Sequence, residues 1–189
     1  DVFARMLAES KFDPDRRSIG LEIELNLTEE TGDPALANTH VLELIADEDF
    51  QTELGQFNVE INIPPRSLAA GVFADLEECV RADLNNAEQA ARGAHVHLLM
   101  TGILPTLTPE LLNREALSAN PRYALLNEQI FAARGEDLHI VIEGVERLAM
   151  FADSIAPEAA CTSVQLHQLV DPSAFGPHFP TRRSLHSRT

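Results

Sequence analysis

Ile19-Gly-Leu-Glu22-Ile-Glu24-Leu-Asn26-Leu27 and Glu53-Leu-Gly55-Gln56-Phe57-Asn58-Val59-Glu60-Ile-Asn62-Ile63-Pro64-Pro65 carry the two most regular alternations in the chain. In a strand, successive side chains point to opposite faces. Glu22, Glu24 and Asn26 therefore share one face of a strand over Ile19–Leu27, and Leu21, Ile23, Leu25 and Leu27 share the other. A second strand over Glu53–Ile63 sets Gln56, Asn58, Glu60 and Asn62 against Phe57, Val59, Ile61 and Ile63. The wet face of an antiparallel sheet accounts for the alternation alone. Its chemistry is narrower than wetness requires, because these polar positions are all carboxylates or carboxamides. Such oxygens suit hard divalent cations.

The 189 residues suit one domain with a sizeable core, and 44% of them are hydrophobic. Thirty acids face fourteen bases, giving a net charge of −16, and Lys11 is the single lysine. That balance argues against nucleic acid and against an anionic membrane surface as partners. No apolar run reaches membrane-spanning length and no signal pattern opens the chain, so a cytoplasmic protein is expected. Cys79 and Cys161 fit no metal or redox spacing and read as buried small apolar residues.

Along the chain, Val2–Lys11 reads as a short amphipathic helix. Thr28–Pro34 reads as a turn, and Asn38 as the cap of a helix to about Asp47. Pro64-Pro65 are expected to stop the second strand. Ser67 opens a long helix to about Arg92, with Leu68, Val72, Leu76, Val80, Leu84, Ala87 and Ala91 at helical steps and Gly93 as its stop. His95–Ile103 reads as a third strand, its His95 and His97 on an ordinary exposed face. Thr108-Pro109 starts a short helix, and Asn120-Pro121 starts another to Arg134, closed by Gly135. Leu138–Ile142 and Val145–Phe151 form a hairpin, and Cys161–Val170 is the last strand. This mixture without regular βαβ alternation points to α+β with an antiparallel or mixed sheet; a concave carboxylate-bearing face packed by helices is expected.

Three stretches resemble glutamate–cysteine ligase family 2, carboxylate–amine ligases related to glutamine synthetase. Gly20-Leu-Glu22-Ile-Glu24 resembles the family's G-x-E-x-E strand, and Glu53 to Pro65 its second acidic motif. Cys161-Thr-Ser-Val-Gln165-Leu-His167 resembles a later strand facing the active site. Thr101-Gly-Ile-Leu-Pro105 and Asn120-Pro-Arg122-Tyr123 fall between them in matching order. The likeness covers about Asp1 to Pro172 and implies a glutamine synthetase-like catalytic fold. It also implies ATP-dependent formation of a γ-glutamyl amide through an acyl phosphate, with Mg²⁺ or Mn²⁺. Glutamate, an amine such as cysteine, and ATP would be the small-molecule substrates. The family's catalytic domain is substantially longer, and Gly176–Thr189 resembles nothing in it. Residues 1–175 are therefore expected to be the N-terminal part of such a domain, and 176–189 an unrelated, disordered tail.

The resemblance makes Glu22 and Glu60 the leading metal ligands. Glu53 follows, its odd parity against Glu60 requiring a bulge, for which Gly55 is suited. Carboxylates two apart on a strand, about 6.6 Å at Cα, can flank cations about 3.5–4 Å apart. Glu24 is a ligand or a holder of the substrate ammonium. Gln165 and His167, opposite Val164 and Leu166, are placed for substrate or nucleotide. Arg122 can fork onto a substrate carboxylate, or be an exposed arginine at a helix start. Tyr123 reads as core. No P-loop, G-x-S-x-G or H-E-x-x-H occurs, so no side-chain nucleophile is expected. Three readings stand open: an active ligase, a fragment of one without turnover, and an acidic α+β binding module.

Overall fold

A computed structural model describes residues 2–9, 11–12 and 17–175. The chain folds as α+β around an antiparallel sheet, with four α-helices among the described residues. In order they are α1 (Val2–Ala8), β1 (Ser18–Glu29), α2 (Asn38–Ile45), β2 (Phe50–Thr52), β3 (Asn58–Ser67) and α3 (Val72–Ala91). Then follow β4 (Val96–Leu99), α4 (Pro121–Arg134), β5 (Leu138–Glu143), β6 (Arg147–Ala152) and β7 (Val164–Gln168). Strand β1 is the axis of the main sheet. It pairs with β3 along one edge, while β4 and β7 divide its other edge between them. Strand β2 completes a hairpin with β3, and β5–β6 form a separate two-stranded sheet.

The apolar face expected of β1 is the core. Leu21, Ile23, Leu25 and Leu27 pack with Val59, Ile61 and Ile63 of β3 beneath α2 and α3, which supply Val41, Leu76, Ala87 and Ala91. Each fully buried Leu or Ile side chain contributes about 1.5–3 kcal/mol by leaving water. Two satellite clusters lie elsewhere, around Phe57, Ala116 and Ala159 and around Leu117, Ile155 and Ala156; Leu54 packs against both.

Several boundaries differ from the sequence reading for identifiable reasons. The stretch Glu53–Ile63 is not one strand, because residues 53–57 form the turn of the β2–β3 hairpin. Phe57 consequently leaves the main core for a satellite cluster. Gln56 leaves the acidic face, its Nε2 donating to the carbonyls of Glu115 (2.6 Å) and Leu117 (3.1 Å). Pro64 and Pro65 do not end β3, which runs on to Ser67. The register slips between Ile19–Arg66 and Leu21–Ile63, so two prolines stand against Gly20 in a bulge where they break no regular ladder. Ser67 thereby belongs to a strand, and α3 begins at Val72 after Gly71, whose φ of 88° suits glycine.

Asn38 does not cap α2; it is buried within the first turn and bonds tertiary partners instead. The third strand shrinks to Val96–Leu99, with His95 outside it in the left-handed region. His97 is half-buried against Glu88 rather than exposed. Thr108-Pro109 starts only a 3₁₀ turn, and the last strand is confined to Val164–Gln168. Asn120 caps α4 as expected, its side chain accepting from the Arg122 N–H. Neither cysteine is fully buried: Cys161 is exposed and Cys79 half-buried. Among the described residues no helix is long and apolar enough to cross a membrane. The expected boundary of a tail at 176–189 lies outside the described residues.

Candidate metal centre

Glu24 and Glu60 stand directly opposite each other across the β1–β3 ladder. Gln51 of β2 is the partner of Glu60 on its other side. Two residues farther along, Glu53 returns to the face that Gln51 shares with Glu60, so the hairpin supplies the parity for which a bulge had been invoked. The outcome is a cluster in which carboxylate oxygens of Glu24, Glu53 and Glu60 all lie within 4.8 Å of one another.

Each member is held by its own donors. Glu24 is buried; its Oε2 accepts from the Ser163 N–H at 2.8 Å and its Oε1 from Gln165 Nε2 at 2.9 Å. Glu53 Oε2 accepts from the Leu54 N–H at 2.5 Å, and Glu60 Oε1 from Asn62 Nδ2 at 2.7 Å. Like charges opposite one another in a ladder repel. Burial raises the Glu53 carboxyl above the usual range, the Leu54 bond opposes this, and the Glu24 and Glu60 charges add to it. The charge of Arg122, exposed at the start of α4, pulls Glu53 the other way. Burial likewise raises Glu60, against its bond from Asn62, with Glu22 and Glu24 adding to the rise.

The turn carrying Glu53 is stitched down from outside the sheet. The Gln56 N–H donates to Ala116 O at 2.8 Å, and the Ser118 N–H to Leu54 O at 2.7 Å. Ser118 Oγ donates to Glu53 O and accepts from Asn38 Nδ2 at 2.7 Å. Asn38 Nδ2 also reaches Gly55 O at 3.2 Å. Tyr123, half-buried, donates its hydroxyl to Thr52 O at 2.8 Å. Asn38, Gln56 and Ser118 are positioning residues; the sequence reads Asn38 as a helix cap and Gln56 as a strand-face residue, and does not single out Ser118. Their signal, polar residues beside apolar ones in loops, is indistinguishable from ordinary turn chemistry.

Beneath the cluster, Asn58 Nδ2 donates to Asn26 Oδ1 at 3.0 Å, and Asn26 Nδ2 to Thr101 O at 3.0 Å. Asn58 is 1% exposed, yet its Oδ1 has no hydrogen-bond partner. It lines, with Glu24, Glu53, Glu158 and Ser163, a cavity of about 260 Å³. A Cβ on Gly55 would lie 2.5 Å from that Oδ1, so the glycine leaves it room. Glu24 and Glu53 of the cluster share this cavity wall with Glu158 and the orphaned amide oxygen, with Glu60 joining them from outside it; that donor set, with no ammonium or guanidinium in the wall, fits a hard divalent cation.

Glu22 is not in this cluster. It faces Asn62 and Gln165 across the ladders, and its Oε1 lies 3.2 Å from His167 Nε2. Glu22, Glu24, Glu60, Gln165 and His167 nevertheless project from one face of the sheet, since Gly20 pairs His167, Glu22 pairs Gln165 and Glu24 pairs Glu60. His167 and Glu22 line a neighbouring hollow of about 370 Å³ with Asp49, Asn62, Pro64 and Pro65.

Fold and site define an α+β protein with an antiparallel sheet whose polar face gathers carboxylates at cation-binding separation. Comparison with protein-family models, with curated proteins and with solved structures gives no match for the chain.

Proposed function

We propose that the acidic face is the divalent-cation and nucleotide site of an ATP-dependent carboxylate–amine ligase of glutamate–cysteine ligase type, on a glutamine synthetase-like sheet. The observation that carries the reading is the convergence of Glu24, Glu53 and Glu60 from two strands and a hairpin turn. Glu24, Glu53 and Glu60 would hold Mg²⁺ or Mn²⁺, with water and phosphate oxygens filling the other positions. A cation held there supplies charge neutralisation for phosphoryl transfer from ATP to a glutamate carboxylate.

The residues themselves do the positioning. The Ser163 N–H and Gln165 Nε2 fix both oxygens of Glu24, so its carboxylate is oriented before any ligand arrives. Asn62 and Leu54 do the same for Glu60 and Glu53. Arg122 supplies a positive charge that acts on Glu53 and is exposed, suited to a substrate carboxylate. Glu22 with His167 offers an anion and a titratable partner for a substrate ammonium or amine.

The test is ADP release from Mg²⁺-ATP with glutamate and an amine, cysteine first, in the native chain and in Glu24→Gln. Release that requires all three substrates and is lost in the variant supports the ligase reading. A second reading is favoured by Val164 and Leu166, 54% and 52% exposed on the core face beside Ile23 and Leu21. In it, this chain binds the cation without turnover. Stabilisation by Mn²⁺ with no ADP release selects it, and absence of both leaves an acidic module with a solvated face.

A further inference from the structure

We infer that the cavity walled by Asn58, Glu158 and two members of the carboxylate cluster binds a small primary ammonium that carries no carboxylate. Resting on the ligase reading, this makes the acceptor amine a short alkylamine instead of an amino acid such as cysteine. The cavity holds about 260 Å³, below the range of drug-sized ligand sites.

The charged side chains of its wall are all acids: Glu24, Glu53 and Glu158. Asn58 adds an amide oxygen. Its Nδ2 is engaged by Asn26 Oδ1 at 3.0 Å, which leaves Oδ1 buried and without a donor. Buried acceptors are almost always satisfied, so this one marks a missing donor. An ammonium brings three donors and no acceptor, enough for an orphaned oxygen and two carboxylates together. A second divalent ion fits less well. Among the described residues Glu24, Glu53 and Glu60 are the trio at mutual metal-binding reach, and Glu158 stands outside it.

The missing counter-charge sets the class of amine. An α-carboxylate carried in with the ammonium would meet three acids and no lysine or arginine in the wall, so like charge rejects it. Leu54 and Ala159, also in the wall, offer apolar surface to a short alkyl chain. Arg122 lies outside this wall and stays available to the carboxylate substrate. Position suits an acceptor, because Glu24 and Glu53 belong both to the wall and to the cation cluster. An amine held here would adjoin the carboxylate phosphorylated at that cation. One proton passes from the ammonium to a wall carboxylate, and the freed lone pair forms the C–N bond. The C–O bond to phosphate breaks, and the leaving phosphate takes the second proton.

Saturation-transfer NMR with excess Mg²⁺ reads the binding of ethylammonium, glycine and ethanol to the whole chain. Glycine adds the carboxylate, and ethanol removes the charge. Glu158→Gln and Glu146→Gln each neutralise one exposed acid, the first in the wall and the second in the β5–β6 turn. Ethylammonium should bind at least about tenfold tighter than glycine or ethanol, and Glu158→Gln should weaken it about tenfold while Glu146→Gln leaves it unchanged. Substituting Asn58 risks the fold through its bond to Asn26, so its side-chain amide resonance is followed instead. That resonance should shift with ethylammonium and stay in place with ethanol. No binding, equal binding of glycine, equal loss in the two variants, or an Asn58 resonance indifferent to ethylammonium overturns the inference. Binding on these terms without ADP release from any amine keeps the pocket and ends the ligase reading. ADP release with cysteine while ethylammonium stays unbound does the reverse.

Discussion

Replacing Glu60 by Gln removes one charge from the cluster while keeping shape and an acceptor for Asn62. With oxygens of the three carboxylates within 4.8 Å, two full charges at that limit repel by about 0.9 kcal/mol in water and about 3.5 kcal/mol at an effective dielectric of 20. Glu60→Gln deletes two of the three pairs among Glu24, Glu53 and Glu60. Glu60 is only half-buried, so solvent screening reduces the gain. The metal-free variant should be more stable at pH 8 by roughly 1–3 kcal/mol, each about 2–4 °C in melting temperature for a chain of this size. The sign with pH follows from the raised carboxyls. In the native chain Glu53 and Glu60 bind protons more tightly folded than unfolded, so their penalty is absent below the ordinary value of 4.5. It grows as pH rises through the folded value. The advantage of Glu60→Gln should therefore shrink towards zero as pH falls to 4.5. Divalent cation at a hundredfold excess over its dissociation constant should stabilise the native chain by about 2.7 kcal/mol and the variant by far less. Thermal melts of both proteins at pH 8 and pH 4.5, with and without Mn²⁺, read all of this. A variant less stable than native without metal, or one with the full Mn²⁺ response, would make Glu60 structural and refute the reasoning.

Gly55→Ala should cost about 1–3 kcal/mol in urea unfolding, because its Cβ would crowd Asn58 Oδ1 at 2.5 Å, Phe57 Cζ at 3.1 Å and Ala159 Cβ at 3.2 Å. A neutral substitution would show that the 53–57 turn is loosely held. Leu27→Ala should cost about 2–5 kcal/mol by the same assay, since Leu27 is 0% exposed at the centre of the core. A loss under 1 kcal/mol would contradict that placement. Glu88 is pulled below the usual range despite burial, by the Leu98 N–H at 2.8 Å, His97 and Arg92. Its contribution should be complete above pH 4.5 and lost as pH falls through its folded value, and Glu88→Gln should flatten that acid limb in a pH series of melts. An unchanged acid limb would remove Glu88 from the α3–β4 junction.

Alternation fixed which side chains of β1 face the core, because a period of two leaves a strand only one way to bury Leu21, Ile23, Leu25 and Leu27. The shared face of Glu22, Glu24, Glu60, Gln165 and His167 was legible for the same reason, as were the Asn120 cap and Gly135 stop of α4. Membership of the carboxylate cluster was not. Glu22 and Glu24 are equivalent by alternation; the register that sets Glu24 against Glu60 and Glu22 against Asn62 separates them. Register depends on a bulge at Gly20 and on which strands flank β1, and neither leaves a local trace.

Glu53 shows the same division. Its local sequence reads as the start of one long strand, yet the chain turns there because Asn38, Ala116 and Ser118, distant in sequence, satisfy the turn's backbone groups. Hydrophobic period is a property of neighbouring residues and survives in the one-dimensional chain. Which acid meets which, and where a buried carbonyl finds its donor, depends on contacts between segments as far apart as Asn38 and Ser118, and those exist only once the chain has folded.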